Sequence, residues 1–116
     1  MKLTMSPASP YVRKCRALAI KRGVESRIEM WTVATSSAEL AALNPLSKIP
    51  TFITDDGQVL YDSPVVCEYI DSLGDAPPCI PASGPARWRA LTLAALGDGI
   101  LDATQPRRRE IALPQD

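Results

Sequence analysis

The stretch SPASPYVRKC, residues 6–15, decides how the chain begins to fold. Ser9 and Pro10 suit the N-cap and the first position of a helix, where proline loses nothing because that amide has no partner within the helix. The apolar run KLTM, residues 2–5, predicts a strand just before it, and the apolar spacing after it predicts a helix over residues 10–22. The chain is therefore expected to open with a strand that leads directly into a helix.

A second strand and a second helix are predicted next along the chain. Residues 27–33, RIEMWTV, are rich in β-branched and aromatic types, so they complete a βαβ unit whose two strands should be parallel. Ser36 and Glu39 have the spacing of a capping box and predict a short helix, which must end by Asn44 because a proline follows.

An Asp-Gly pair between two apolar runs predicts an antiparallel hairpin of residues 51–54 and 58–61. A third helix is expected over residues 64–73, with an apolar face at helical spacing. The order βαβαββα indicates an α/β domain over residues 1–76. Four prolines fall between residues 77 and 85 and predict a linker, because they break regular structure.

Residues 86–116 are expected to begin an all-α region. The apolar pattern predicts a helix over residues 86–104, and Pro106 is expected to end or kink it.

Composition excludes several kinds of chemistry. The 116 residues contain no histidine, which removes Ser-His and Cys-His nucleophile activation and the commonest metal ligand. Thirteen basic residues balance thirteen acidic ones, so no nucleic-acid-binding face is expected, and no apolar run is long enough for a membrane span. Three widely spaced cysteines predict reduced thiols in the cytoplasm, with Cys15 and Cys67 in the core.

Three motifs, taken together, resemble the glutathione S-transferase family: SPASPYVRK at residues 6–14, NPLSKIP at residues 44–50 and LYDSPVVCEYI at residues 60–70. The resemblance covers residues 1 to about 104 and is greatest for soluble bacterial members with Ser-Pro at the head of the first helix. It implies a thioredoxin-like N-terminal domain, glutathione as co-substrate and no metal.

Ser9 is the catalytic candidate, because a helix N-terminus favours an anion and a hydroxyl there can donate to the glutathione thiolate. Family members carry a catalytic Ser, Cys or Tyr at or near this position. Two alternatives stay open: Ser9 only caps the helix, or Ser6 is the hydroxyl that contacts the thiolate.

The resemblance also implies how the rest of glutathione is held. The Ile49-Pro50 bond should be cis and turn the peptide groups of Ile49 toward the cysteinyl unit, which would pair with them as an added strand. Lys48 is a candidate for the glycyl carboxylate. Asp62 and Ser63, at the start of the third helix, suit the ammonium and carboxylate of the γ-glutamyl end; most members have Glu where this chain has Asp62.

A cytoplasmic, homodimeric glutathione transferase that conjugates small electrophiles in detoxification is the function that the resemblance implies. The helical domain that supplies most of the electrophile pocket is expected to be incomplete, as in a fragment or a natural short form. A non-catalytic protein-interaction module of the same fold is one alternative. A glutathione-dependent thiol oxidoreductase is another, although it would favour cysteine at position 9.

Overall fold

The computed structural model describes residues 1–111 and 113 and divides the chain into two compact units, Met1–Cys79 and Ile80–Asp116. The first unit contains four strands, three α-helices and a 3₁₀ turn at Glu25–Arg27. Its elements in chain order are β1 (Lys2–Met5), α1 (Pro10–Lys21), β2 (Glu29–Thr32), α2 (Ala38–Leu43), β3 (Phe52–Ile53), β4 (Val59–Leu60) and α3 (Ser63–Asp71). The second unit contains α4 (Gly84–Ile111). The predicted α/β order βαβαββα, followed by a helical region, is confirmed.

The four strands form one mixed sheet in the order β2-β1-β3-β4. β1 and β2 are parallel, and β3 is antiparallel to both β1 and β4. The ends of β1 and β4 and the beginning of β3 therefore lie at the same edge of the sheet. Every segment that the sequence motifs single out follows or precedes a strand at that edge.

The core lies where α1 and α3 pack together against the sheet. Leu3 and Phe52 contribute from neighbouring strands, and both are fully buried. The helices contribute small and branched side chains, which fit the close approach of α1 to α3: Val12, Cys15, Ala19, Val66, Cys67 and Ile70. The predicted core positions of the two cysteines are confirmed.

The hairpin between β3 and β4 closes through the predicted Asp-Gly turn. The Thr54 amide donates to the Gln58 carbonyl at 2.9 Å, and Gly57 has a φ of 85°, which glycine adopts without steric cost. The Thr54 hydroxyl donates to the Asp56 carboxylate, and this hydrogen bond lowers the pKa of Asp56. The turn residues thus fix the hairpin locally.

Several boundaries differ from the sequence prediction, and one of them is the beginning of α4, which lies at Gly84 inside the predicted linker. The cap of α2 is Ser37, whose side chain accepts from the Leu40 amide at 3.2 Å, so the predicted capping box at Ser36 is wrong. The N-cap of α3 is Asp62, and Ser63 is already helical. Helix α4 continues through Pro106 to Ile111, because one proline removes a single hydrogen bond while the bonds on either side hold the helix. Residues 112 and 114–116 lie outside the described residues.

The adjacent serines before α2 give a matched test of the cap. Ser37→Ala should lower the free energy of unfolding by about 1 kcal/mol, because it removes the acceptor for the Leu40 amide. Ser36→Ala should change it by less than about 0.5 kcal/mol, because Ser36 is an exposed residue before the cap. Urea unfolding followed by circular dichroism measures both changes, and equal losses would contradict the cap assignment.

Candidate functional site

The candidate site lies at the sheet edge where β1 ends, β3 begins and β4 ends. Ser9 follows β1, Pro50 precedes β3, and Asp62 follows β4. Leu3 is opposite Phe52, and Phe52 is opposite Leu60, so the three segments leave the sheet side by side. The topology thus brings the sequence-predicted site residues to one edge.

Ser9 is the N-cap of α1. Its φ and ψ of −80° and 118° are extended, and its hydroxyl oxygen accepts from the Val12 amide at 3.3 Å. Serine has one hydroxyl proton and two acceptor lone pairs, so an oxygen that accepts from an amide keeps its proton for another partner. Ser9 is half-buried, so the hydroxyl lies at the surface of the helix end.

Ser6, the competing hydroxyl, lies in the turn before α1. Its oxygen accepts from the Ala8 amide at 3.4 Å, and its carbonyl accepts from the Ser9 amide at 3.0 Å. Ser6 therefore shapes the turn that leads into the helix. Only Ser9 stands at the helix N-terminus itself, where the amide dipoles favour an anion.

A buried polar network, which the sequence reasoning missed, supports the loop before β3. The Asn44 amide group donates to the Lys48 carbonyl at 3.2 Å and to the Thr51 hydroxyl at 2.9 Å, and it accepts from the Leu46 amide at 2.9 Å. The Thr51 amide donates to the Thr4 hydroxyl at 2.7 Å. The three side chains of this network are almost completely buried: Asn44, Thr51 and Thr4. Their hydrogen bonds therefore fix the backbone of residues 48–50 on its buried side.

Asn44→Ala should lower the free energy of unfolding by about 2 kcal/mol, because it removes three hydrogen bonds made by a buried side chain. Gln58→Ala is the matched control: it removes an exposed amide side chain, while the backbone of Gln58 still holds the hairpin turn. The control should change stability by less than about 0.5 kcal/mol. Urea unfolding measures both, and a mild effect of Asn44→Ala would mean that the loop holds its shape without the network.

The Ile49-Pro50 peptide bond is cis, as the resemblance predicted. Within the described residues, neither the amide nor the carbonyl of Ile49 makes a hydrogen bond to the backbone. An extended peptide placed along this segment would therefore find both groups available for strand-like pairing. Lys48 is exposed, and its carbonyl, rather than its ammonium group, is tied into the network below the loop.

Asp62 and Ser63 stand at the start of α3. Asp62 is exposed, follows a cis Tyr61-Asp62 bond and accepts from the Ser63 amide through its side chain. Ser63 is only 2% exposed. A second carboxylate reaches the Ser63 amide only where the Asp62 side chain turns away, whereas an ammonium group can approach Asp62 directly from solvent.

The described part of the chain contains no group of three or more His, Cys, Asp or Glu side chains placed to hold a metal ion. Across residues 1–111 and 113, no helix combines the length and apolar character that a bilayer crossing requires. The candidate site offers the Ser9 hydroxyl, the backbone groups of Ile49, the N-termini of α1 and α3, and the Asp62 carboxylate.

A four-stranded mixed sheet of this order, followed by a helical region, is the thioredoxin-like fold of the glutathione S-transferases. Residues 8–73 match the family model of the glutathione S-transferase N-terminal domain, so the chain belongs to the glutathione S-transferase family.

Two solved structures and two curated relatives show how far the similarity extends. A glutathione transferase family member from Pseudomonas fluorescens Pf-5, with bound glutathione, is 47% identical with a TM-score of 0.91, and the match covers 97% of this chain and 57% of that one. A glutathione S-transferase from Methylobacillus flagellatus KT, with glutathione bound, is 36% identical with a TM-score of 0.87 and coverage of 98% and 56%. The GST-like protein YibF of Escherichia coli (strain K12) is 35% identical over 98% of this chain and 56% of its own length.

A stringent starvation protein A homolog from Coxiella burnetii is 32% identical over 80% of this chain and 44% of its own length. The chain thus spans about half the length of the relatives it matches.

Proposed function

We propose that the chain binds glutathione at this sheet edge and that Ser9 stabilises its thiolate for attack on an electrophilic carbon. The observation that carries the proposal is the Ser9 hydroxyl, which accepts from the Val12 amide and so keeps its proton to donate to a sulfur anion. The helix N-terminus adds a favourable electrostatic contribution. Bound glutathione in the solved structures from Pseudomonas fluorescens and Methylobacillus flagellatus supports the choice of ligand.

The remaining contacts follow from the chemistry of the tripeptide. The cysteinyl unit pairs with the backbone of Ile49, beside Pro50, and the γ-glutamyl ammonium group binds Asp62. The γ-glutamyl carboxylate accepts from the Ser63 amide in place of the Asp62 side chain, which turns toward the ammonium group, and the Lys48 ammonium group binds the glycyl carboxylate. No metal takes part in this scheme.

We expect these 116 residues alone to conjugate glutathione to electrophiles only weakly. The relatives are nearly twice as long, and a pocket for the second substrate built from their additional length would supply the proximity and orientation that speed conjugation. We infer a cytoplasmic setting, in which the resting form of the three cysteines is the reduced one, as in this structure.

We also infer a homodimer that uses α4. Large apolar side chains on this helix are exposed, and burying them against a second copy would remove apolar surface from water: Trp88, Leu93, Leu96 and Ile100. Sedimentation velocity measures the association state, and a strictly monomeric chain at high concentration would contradict this part of the proposal.

Isothermal titration with glutathione and with S-methylglutathione tests the function. Both should bind, because both carry the groups that the Ile49 backbone and Asp62 recognise. Only glutathione should bind more tightly as the pH rises from about 6 to 8, because only its thiol can ionise and accept from Ser9.

Three unfavourable outcomes of the titration and of a parallel conjugation assay have different meanings. No saturable binding of either ligand would overturn the function. Binding without conjugation of a general aromatic electrophile would favour the non-catalytic interaction module. Parallel pH profiles for the two ligands would retain the peptide site and remove the thiolate role of Ser9.

A further inference from the structure

Two cysteine thiols lie in contact in the core between α1 and α3, and the proposed function uses neither. The Sγ atoms of Cys15 and Cys67 are 3.6 Å apart, although 52 positions separate the residues along the chain. Cys15 is completely buried, and Cys67 is 8% exposed. Both are reduced thiols, and the third cysteine, Cys79, is exposed.

The geometry needs only a small change to join the two sulfurs. A disulfide requires a separation of about 2.05 Å, so the gap to close is about 1.5 Å. The two residues lie on different helices, and rotation about the Cα–Cβ bond of either cysteine moves its sulfur without moving the backbone. Cys67 is the residue of the pair that lies nearer to solvent, because it retains 8% exposure whereas Cys15 retains none.

We propose that Cys15 and Cys67 form an oxidative modification site, at which a peroxide converts the two thiols into a disulfide that links α1 to α3. The Cys67 sulfur attacks one peroxide oxygen, the O–O bond breaks, and sulfenic acid and one water form. The Cys15 sulfur then attacks the Cys67 sulfur, the S–O bond breaks, and the hydroxyl leaves as a second water. The two thiols lose two electrons and two protons, and the peroxide is reduced to two waters. A low-molecular-weight thiol reverses the change and is itself oxidised to its disulfide.

Oxidation of this pair should affect the candidate glutathione site, because Cys15 makes a hydrogen bond to the first residue of α3. The Cys15 thiol donates to the Ser63 carbonyl at 4.0 Å, and Ser63 is the first residue of α3. Forming the disulfide removes that proton, so the Ser63 carbonyl at the start of α3 loses its donor from Cys15, and glutathione affinity should fall. This consequence rests on the proposed function, whereas formation of the disulfide does not.

The test uses the full chain with Cys79→Ser, so that only the two core thiols remain. The folded protein is treated with a small excess of hydrogen peroxide, denatured in an alkylating reagent and digested with trypsin. Lys14 and Arg16 flank Cys15, and no Lys or Arg lies between residues 49 and 86, so a crosslink appears as the 49–87 peptide carrying the Cys15-Arg16 dipeptide. We expect both thiols of one chain to be lost together, without a crosslink between chains. Incubation with glutathione should restore both thiols.

Single-cysteine variants are the matched controls. With Cys67→Ser in the same background, Cys15 should stay alkylatable after peroxide, because it is completely buried and has no thiol partner. Two results would overturn the proposal: both thiols remain reduced in the folded chain while the denatured chain oxidises, or Cys67 gains oxygen atoms without a crosslink.

Affinity is measured with S-methylglutathione, which has no free thiol to reduce the disulfide. We expect binding to weaken at least threefold on oxidation, and a crosslinked chain with unchanged affinity would overturn the coupling to the site. If the reduced chain binds neither glutathione nor its S-methyl derivative, the proposed function fails while the disulfide result stands.

Discussion

Arg22→Ala should lower the free energy of unfolding of the first unit by about 3 to 5 kcal/mol, the range expected when one partner of a buried ion pair is removed. The Arg22 side chain is 2% exposed, and that of its partner, Asp71, is 4% exposed. Its guanidinium also donates to backbone carbonyls that follow α3: Leu73, Gly74 and Ala76. Alanine would leave a buried carboxylate without its cation and these carbonyls without their donor.

The pair joins the end of α1 to the chain that leaves α3. The Nε atom of Arg22 lies 3.5 Å from Oδ1 of Asp71 in an ion pair but makes no hydrogen bond there. The same carboxylate oxygen accepts from the Cys79 amide at 2.8 Å. Removing the guanidinium therefore also loosens the segment up to Cys79. Domains of this size are stabilised by about 5 to 15 kcal/mol, so the loss is a large fraction of the total.

The matched control is Arg16→Ala, on the same helix. Arg16 pairs with Glu25 at 3.1 Å, but the two side chains are 44% and 38% exposed, so solvent screens the pair. We expect a loss of about 0 to 1 kcal/mol for the control. Urea unfolding followed by circular dichroism measures both, and comparable losses would mean that the buried pair is not what holds the end of α1.

Arg22 also shows where sequence reasoning fails. In the run KRGVE, at residues 21–25, it is indistinguishable from the basic, solvated residues that end many helices. It is buried because residues 73–76, more than fifty positions later, place their carbonyls against it. No local pattern encodes that contact.

The same limit applies to Asn44, which the sequence marked only as the end of a helix before a proline. Its role depends on the Lys48 carbonyl and the Thr51 hydroxyl, which the fold brings beneath it. The α2 cap was missed for a different reason. Ser36 and Ser37 have nearly the same local context, and the capping-box spacing to Glu39 favoured the wrong one.

The sheet edge could be predicted because its signals are local. The strands are short runs that contain apolar, β-branched or aromatic residues, and the hairpin is fixed by its own Asp-Gly turn. The helix starts at Ser9 and Asp62 have polar residues followed by proline within two positions. The right-handed βαβ rule then leaves few ways to arrange these elements, so the predicted fold carries the site residues to one edge.

Ser9→Ala should raise the pKa of the bound glutathione thiol by about 1.5 units, because the helix N-terminus keeps its own contribution, and should slow conjugation about eightfold at pH 7. A free thiol has a pKa near about 8.5, and a hydroxyl hydrogen bond to the thiolate, with the helix N-terminus, supplies roughly the 2.7 kcal/mol needed to lower it to about 6.5. At pH 7 about three quarters of a thiol with a pKa of about 6.5 is ionised, against about 9% at a pKa of about 8.0. Absorbance titration of the thiolate in the complex measures the pKa directly.

Two further variants separate the donor role of Ser9 from its role as a helix cap. Alanine also removes the acceptor for the Val12 amide and should cost about 1 kcal/mol of stability, so the folded state must first be verified by circular dichroism. Ser9→Thr keeps both the cap and the proton and should keep the lower pKa. Ser9→Gly keeps most of the cap stability but has no proton to give, so the pKa should rise as it does in alanine.

Ser6→Ala should leave the pKa unchanged, because Ser6 stands in the turn and not at the helix end. A raised pKa in Ser6→Ala alone would transfer the thiolate contact to Ser6 and leave Ser9 as a cap.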